Sequence, residues 1–240
     1  MAGIELKNVK KTYLVDGREL PVLKGIDLDI PEKQITVLLG KSGCGKTTLL
    51  RVVGGLEPAD SGEILFRVPH KTAFVFQEPR LMPWLSVTKN VAFGLKREEI
   101  KPEEIQSIID VVGLTGFEKA LPAQLSGGMQ HRTAIARALA YHPSFIMMDE
   151  PFAALDYFTR EQMQRELLRI QQEQKTSILF VTHSLDEALI LADQIAIIRD
   201  GKIGQLFSID VPQMERDVMS PSMITTKREI LSHLDLTTGA

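Results

Sequence analysis

The sequence predicts an α/β protein with a parallel sheet at its core, a small antiparallel β subdomain and an inserted α-helical subdomain. Three observations predict it. Ile35–Leu39, Ala73–Phe76, Phe145–Met148 and Ser177–Val181 are short, mostly apolar runs that read as buried strands. Helical patterns fall between them, and strands alternating with helices build a parallel sheet. Ile4–Tyr13 and Leu23–Ile30 flank Asp16-Gly17, a turn signal, and so form an antiparallel pair.

Each element follows from its residues. Ile26, Leu28 and Ile30 alternate with Asp27 and Asp29, giving one buried and one wet face. Thr47–Leu56 reads as the helix after the strand Ile35–Leu39. Ile105, Ile108, Ile109 and Val112 share one helical face, with Gly113 placed to end it. Ile135, Ala138 and Leu139 give the next helix a core face, and Pro143 follows its end. Met163, Leu167 and Ile170 form another stripe, with Glu161 and Arg165 paired on the wet side. Ser184 and Glu187 form a capping box, so a helix starts just after Thr182-His183. Ile195–Ile198 and Lys202–Leu206 flank Asp200-Gly201 as a hairpin. The main domain spans 1–205, with the helical lobe inserted at about 78–140, and 206–240 form a C-terminal extension.

Composition narrows the function. The 240 residues suffice for one large domain, and 44% apolar with 25% charged residues is ordinary for a chain with a buried core. Lys+Arg 28 against Asp+Glu 31 gives −3, which argues against a nucleic-acid binder driven by overall charge. The single cysteine, Cys44, cannot form an internal disulfide and suits a reducing compartment. The first residues carry no apolar signal core, and no run approaches the length of a spanning helix. The expectation is a soluble chain that another protein must hold at any membrane.

Two glycine loops carry the chemistry. Gly40, Lys41, Ser42, Gly43, Cys44, Gly45, Lys46 and Thr47 match the Walker A pattern, after a buried strand and opening a helix that continues with Thr48. Its glycines let backbone N–H groups point at phosphates, and the helix N-terminus adds positive charge. Lys46 is placed for the β- and γ-phosphates of ATP, and the Thr47 hydroxyl for Mg²⁺. Phe145–Glu150 resembles a Walker B strand, in which Asp149 holds Mg²⁺ and Glu150 polarises the attacking water. The second loop, Leu125–Gln130 (L-S-G-G-M-Q), sets Ser126, Gly127 and Gly128 just before a helix, an anion site of backbone N–H groups.

With that loop lying between Walker A and Walker B, the chain resembles the ABC ATPases, whose signature loop it matches, and so implies a P-loop NTP hydrolase core. Further positions fit. Tyr13 matches the aromatic that stacks on adenine, although aromatics also favour strands for packing alone. Gln77 matches the glutamine that contacts Mg²⁺ and the attacking water. Asp156, in Ala-Ala-Leu-Asp, matches the D-loop, which touches the opposite subunit. His183, between an apolar strand and a capped helix, matches the switch histidine at the γ-phosphate. The resemblance implies a head-to-tail homodimer with each ATP between Walker A of one copy and Ser126–Gly128 of the other.

Gln77–Val91, Pro151–Glu166 and the tail (Ser220–Met223, Arg228–Leu231) resemble the nitrate, sulfonate and taurine importer subgroup. That implies a peripheral subunit on the cytoplasmic face of the cell membrane, bound to integral membrane permease subunits and served indirectly by a solute-binding protein, with no nucleic acid. Leu81, Met82, Pro83 and Trp84 are expected to line the groove for a permease helix, with Trp84 open between exposed anchor and core residue. The alternative is an ATP-switched DNA-repair or chromosome-handling ATPase; such chains generally carry coiled-coil or zinc insertions, which this sequence lacks. Two departures stand out: a short segment Ser61–Thr72, so that part of a hairpin is expected to be missing, and Ala153-Ala154 where Ser-Ala is common in the D-loop.

Overall fold

A computed structural model describes residues 2–67 and 71–235. In chain order the elements are β1 (Ala2–Val15), β2 (Arg18–Pro31), β3 (Ile35–Leu39), α1 (Lys46–Val53), β4 (Ser61–Phe66), β5 (Thr72–Val75), α2 (Val87–Val91), α3 (Pro102–Val111), α4 (Gly127–Ala140), β6 (Phe145–Asp149), α5 (Tyr157–Gln174), β7 (Ser177–Thr182), α6 (Leu185–Leu191), β8 (Gln194–Arg199), β9 (Lys202–Ser208) and α7 (Pro221–Asp235). The chain divides into two compact units, Met1–Pro69 with Ser177–Ala240, and His70–Thr176.

The first unit holds two sheets. β1 lies between β2 and β4, antiparallel to both. Ile26, Leu28 and Ile30 are buried while Asp27 and Asp29 are exposed, as the alternation predicts. The turn joining β1 and β2 places Asp16 at φ 49° and Gly17 at φ 77°, the left-handed pair a tight hairpin needs. In the second sheet β3 pairs in parallel with β7 and with β8, and β9 closes the edge antiparallel to β8. Every residue of β3 and of β7 is buried, which is why these strands read as continuous apolar runs.

The second unit pairs β5 with β6 in parallel and surrounds α4 with α2, α3 and β5. α4 buries Ala134, Ile135, Ala136, Ala138, Leu139 and Ala140; its small side chains let neighbours approach closely. Met163, Leu167 and Ile170 of α5 are buried, and Arg165 bonds Glu161 at 2.6 Å.

Two expectations, the end of α1 and the cap of α6, are corrected. The helix expected over Thr47–Leu56 stops at Val53, because Gly54 caps it, Gly55 turns to φ 68° and Leu56 stays half-exposed. The segment Ser61–Thr72, expected to lack part of a hairpin, contributes one strand, β4, paired with β1; residues 68–70 of it lie outside the described residues. The capping box at α6 is only half made. Ser184 Oγ accepts from Glu187 N at 3.3 Å, but Thr182 Oγ1 takes the Ser184 N–H at 3.0 Å and donates to the Glu187 carboxylate at 2.6 Å.

Candidate nucleotide site

The first unit builds the Walker A loop where β3 ends. Gly45, at φ 106°, is the N-cap of α1 and brings no side chain to compete for the first-turn amides. A Cβ there would press on Val22 and Leu23 at 3.1–3.2 Å, and one at Gly40 would meet the Ile198 carbonyl at 2.5 Å. Lys46 is 6% exposed, and its ammonium donates to the Gly40 and Lys41 carbonyls at 2.7 and 2.9 Å. A buried cation spans its own loop, beside the open N-terminus of a helix. That donor set fits a polyphosphate. Lys41, Ser42 and Gly43 are exposed along the loop, and Thr47 and Thr48 follow in α1. Burial pushes the Cys44 thiol up, which keeps it protonated and suits the small-residue role.

His183 joins this loop through sheet register. Leu39 pairs with Thr182, so Gly40 and His183 leave adjacent parallel strands side by side, and His183 is exposed there. Tyr13 is half-buried on β1. Its hydroxyl donates to the Glu57 carboxylate and bonds Thr48, which ties the ring to the start of α1. Burial and Glu57 together hold its phenol above the usual range.

The second unit repeats the device. Val75 pairs with Met148, so Gln77 and Glu150 leave neighbouring strands at matching positions. Asp149 ends β6 and is 4% exposed; Glu150 follows at φ 45°, a left-handed backbone unusual for glutamate. Ser126 caps α4, its Oγ accepting from Met129 N at 3.3 Å, with Ser126 and Gly127 exposed. Asp156 caps α5 by accepting from Thr159 N at 3.1 Å, and its bonds to Thr159 hold the carboxyl below its usual range. The two caps adjoin: a Cβ on Gly128 would stand 3.2 Å from Leu155.

The second unit also holds an aromatic hollow. Ala73, Phe74, Phe76, Arg80, Met82, Phe93, Arg137 and Tyr141 surround a hollow of about 370 Å³. Met82 is the one expected residue on it; Leu81, Pro83 and Trp84 are not on its wall, and Trp84 is 72% exposed. Phe74 and Phe76 stack at 4.2 Å, and the Arg80 guanidinium lies 4.0 Å over Phe76. Arg137 of α4 holds this segment by donating to the Arg80 and Pro79 carbonyls at 2.9 and 3.0 Å. Sequence reading missed these groove residues, though the Phe-Val-Phe alternation was a signal.

Fold and loop together define a P-loop nucleotide hydrolase. Residues 23–153 match the family described as ABC transporter. The chain is 43% identical to an aliphatic sulfonates import ATP-binding protein of Nocardia farcinica, covering 100% of this chain and 95% of that one. It is 42% identical to an uncharacterized ABC transporter ATP-binding protein, MJ0412, of Methanocaldococcus jannaschii, covering 96% and 91%. A solved dimer of the ATP-binding cassette MJ0796, bound to ADP and Pi in a post-hydrolysis state, matches with a TM-score of 0.78 at 31% identity, over 85% of this chain and 98% of that one. The chain belongs to the ABC transporter family and is an ATPase of it. The DNA-handling alternative is not favoured. Among the described residues no helix is long and apolar enough to cross a membrane.

Proposed function

We propose that this chain powers an importer for nitrate-, sulfonate- or taurine-type solutes, as an ATP-clasped pair of copies bound to permease subunits at the cytoplasmic face of the cell membrane. A solute-binding protein delivers the solute outside. The observation that carries the reading is similarity to sulfonate import ATP-binding proteins over the whole chain, beyond the ATPase motifs. The exposed Trp84 beside an aromatic groove supports it, because aromatic anchors are what such interfaces use.

Each residue has a task. The amides of Gly40–Gly45 and the Lys46 ammonium bind the triphosphate, and the Tyr13 ring stacks on adenine. Glu150 accepts the proton of the attacking water or orients it, and Gln77 holds that water from the next strand. His183 contacts the γ-phosphate. Thr47, Gln77 and Asp149 would hold Mg²⁺, since hard oxygen donors joined by substrate phosphates suit that ion. Magnesium, when bound, neutralises charge that develops on the phosphates. Ser126, Gly127 and Gly128 offer amides to the triphosphate held by the second copy, with Asp156 beside them. Loss of the γ-phosphate removes what both copies grip, so the pair loosens.

Affinity purification of the tagged chain from solubilised membranes tests the reading. Integral membrane subunits should co-purify and raise ATP turnover. ATPase activity stimulated by DNA, with no membrane protein retained, would overturn it.

A further inference from the structure

α6 is seven residues long, and His183 directly precedes its N-cap, Ser184. An isolated helix needs roughly 12–15 residues to persist, so contacts must fix the place of one this short. Helix ends also leave carbonyls without intrahelical partners. Here two side chains of the C-terminal extension take the last four. Arg216 Nη1 donates to the carbonyls of Leu189, Ile190 and Ala192 at 3.0, 3.1 and 2.7 Å. Gln213 Nε2 donates to that of Leu191 at 2.6 Å. Arg216 also ties its own segment, to Val211 O at 2.8 Å and Ile209 O at 3.1 Å.

A guanidinium suits this position twice over. It supplies several donors at once, and its charge faces the negative end of the helix dipole. Asp193, just past α6, accepts from Ile35 N at 2.8 Å, while its own N–H donates to Ile35 O at 2.9 Å. The end of α6 is thereby fixed to the start of β3, the strand that leads into Walker A. At the other end, Lys227 of α7 pairs with Asp186 in the first turn at 2.5 Å. α7 is anchored by buried Met223 and Ile230.

We infer that the C-terminal extension clasps α6 and thereby positions His183, with Arg216 and Gln213 as positioning residues for ATP hydrolysis. The inference rests on the reading of His183 as a γ-phosphate contact. Without the four caps the C-terminal end of α6 loosens, and the turn that follows His183 is held less firmly.

A double-mutant cycle tests this. Turnover at saturating ATP and binding of a fluorescent ATP analogue are measured for Arg216→Gln, His183→Ala and the pair. Arg216→Gln should lower kcat about 10-fold, within the range set by small misplacements of a reacting group. Its nucleotide Kd should stay within about two-fold, because Walker A is untouched. The double variant should be no slower than His183→Ala alone, as expected of residues acting in one chain of effect. Ile30→Val, which thins the core beneath β2 away from the clasp, should lower Tm yet keep full kcat. If Arg216→Gln does not fold, Gln213→Ala, which removes one cap, replaces it in the same cycle. Full kcat in the capping variant, losses that add to those of His183→Ala, or an equal loss in Ile30→Val would overturn the inference. Full kcat in His183→Ala would instead remove the role assigned to the histidine.

Discussion

Glu150 is held at φ 45° between the end of β6 and the loop that follows. A left-handed glutamate costs on the order of 1 kcal/mol, and such strain gathers at functional sites. Glu150→Gln keeps the backbone and the side-chain shape while removing the basic oxygen. It should bind ATP normally and lower turnover about 10²–10⁴-fold, the usual scale for a general base; turnover equal to the parent chain would take Glu150 out of its role. His131, five residues after Ser126, is buried, and its Nδ1 has no hydrogen-bond partner among the described residues. Burial lowers its pKa from 6.5, so below that pH the unfolded chain takes a proton that the folded chain refuses. The stability it confers is complete above 6.5 and is lost as pH falls. Tm should therefore drop less between neutral and mildly acidic pH in His131→Gln than in the parent; parallel drops would exclude His131 as the group. At this scale the candidate site was legible because its residues sit in contiguous motifs with strict spacing. Arg216 and Gln213 were not, because they cap carbonyls 22 to 27 residues away and leave no local pattern.

Among the elements, strands buried on both faces announced themselves. β3, β6 and β7 are buried throughout, and their boundaries fall within a residue of the apolar runs. β4 did not, because it is an edge strand with half-exposed residues and a glycine at φ 94°. The five-residue α2 is too short to show a period; its Asn90 is buried and bonds Met82 in both directions, fixing the loop that carries Trp84. On the proposed reading this fixed loop presents Trp84 to the permease. Trp84→Ala should weaken pulldown of the membrane subunits about ten-fold or more, the scale of an interface anchor, while Mg-ATP binding is spared. Undiminished pulldown would remove Trp84 from the interface.

For the molecule as a whole, each unit places motif residues at the ends of its own strands. Gly40 stands with His183, and Gln77 with Glu150. The signature loop and D-loop adjoin at Gly128 and Leu155, with Ser126 and Asp156 both exposed. A solved cassette that this chain resembles at a TM-score of 0.78 is a dimer, which supports pairing of copies.

Complementation between two crippled copies tests that pairing most directly. In a Glu150→Gln background, which slows hydrolysis, Lys46→Ala removes phosphate binding and Ser126→Arg blocks the signature loop. Neither copy alone should dimerise with Mg-ATP on size exclusion. Their mixture should, because one intact Lys46 then faces one intact Ser126 across a shared nucleotide. Dimers formed by the Ser126→Arg copy alone, or a mixture that stays monomeric, would contradict the shared site.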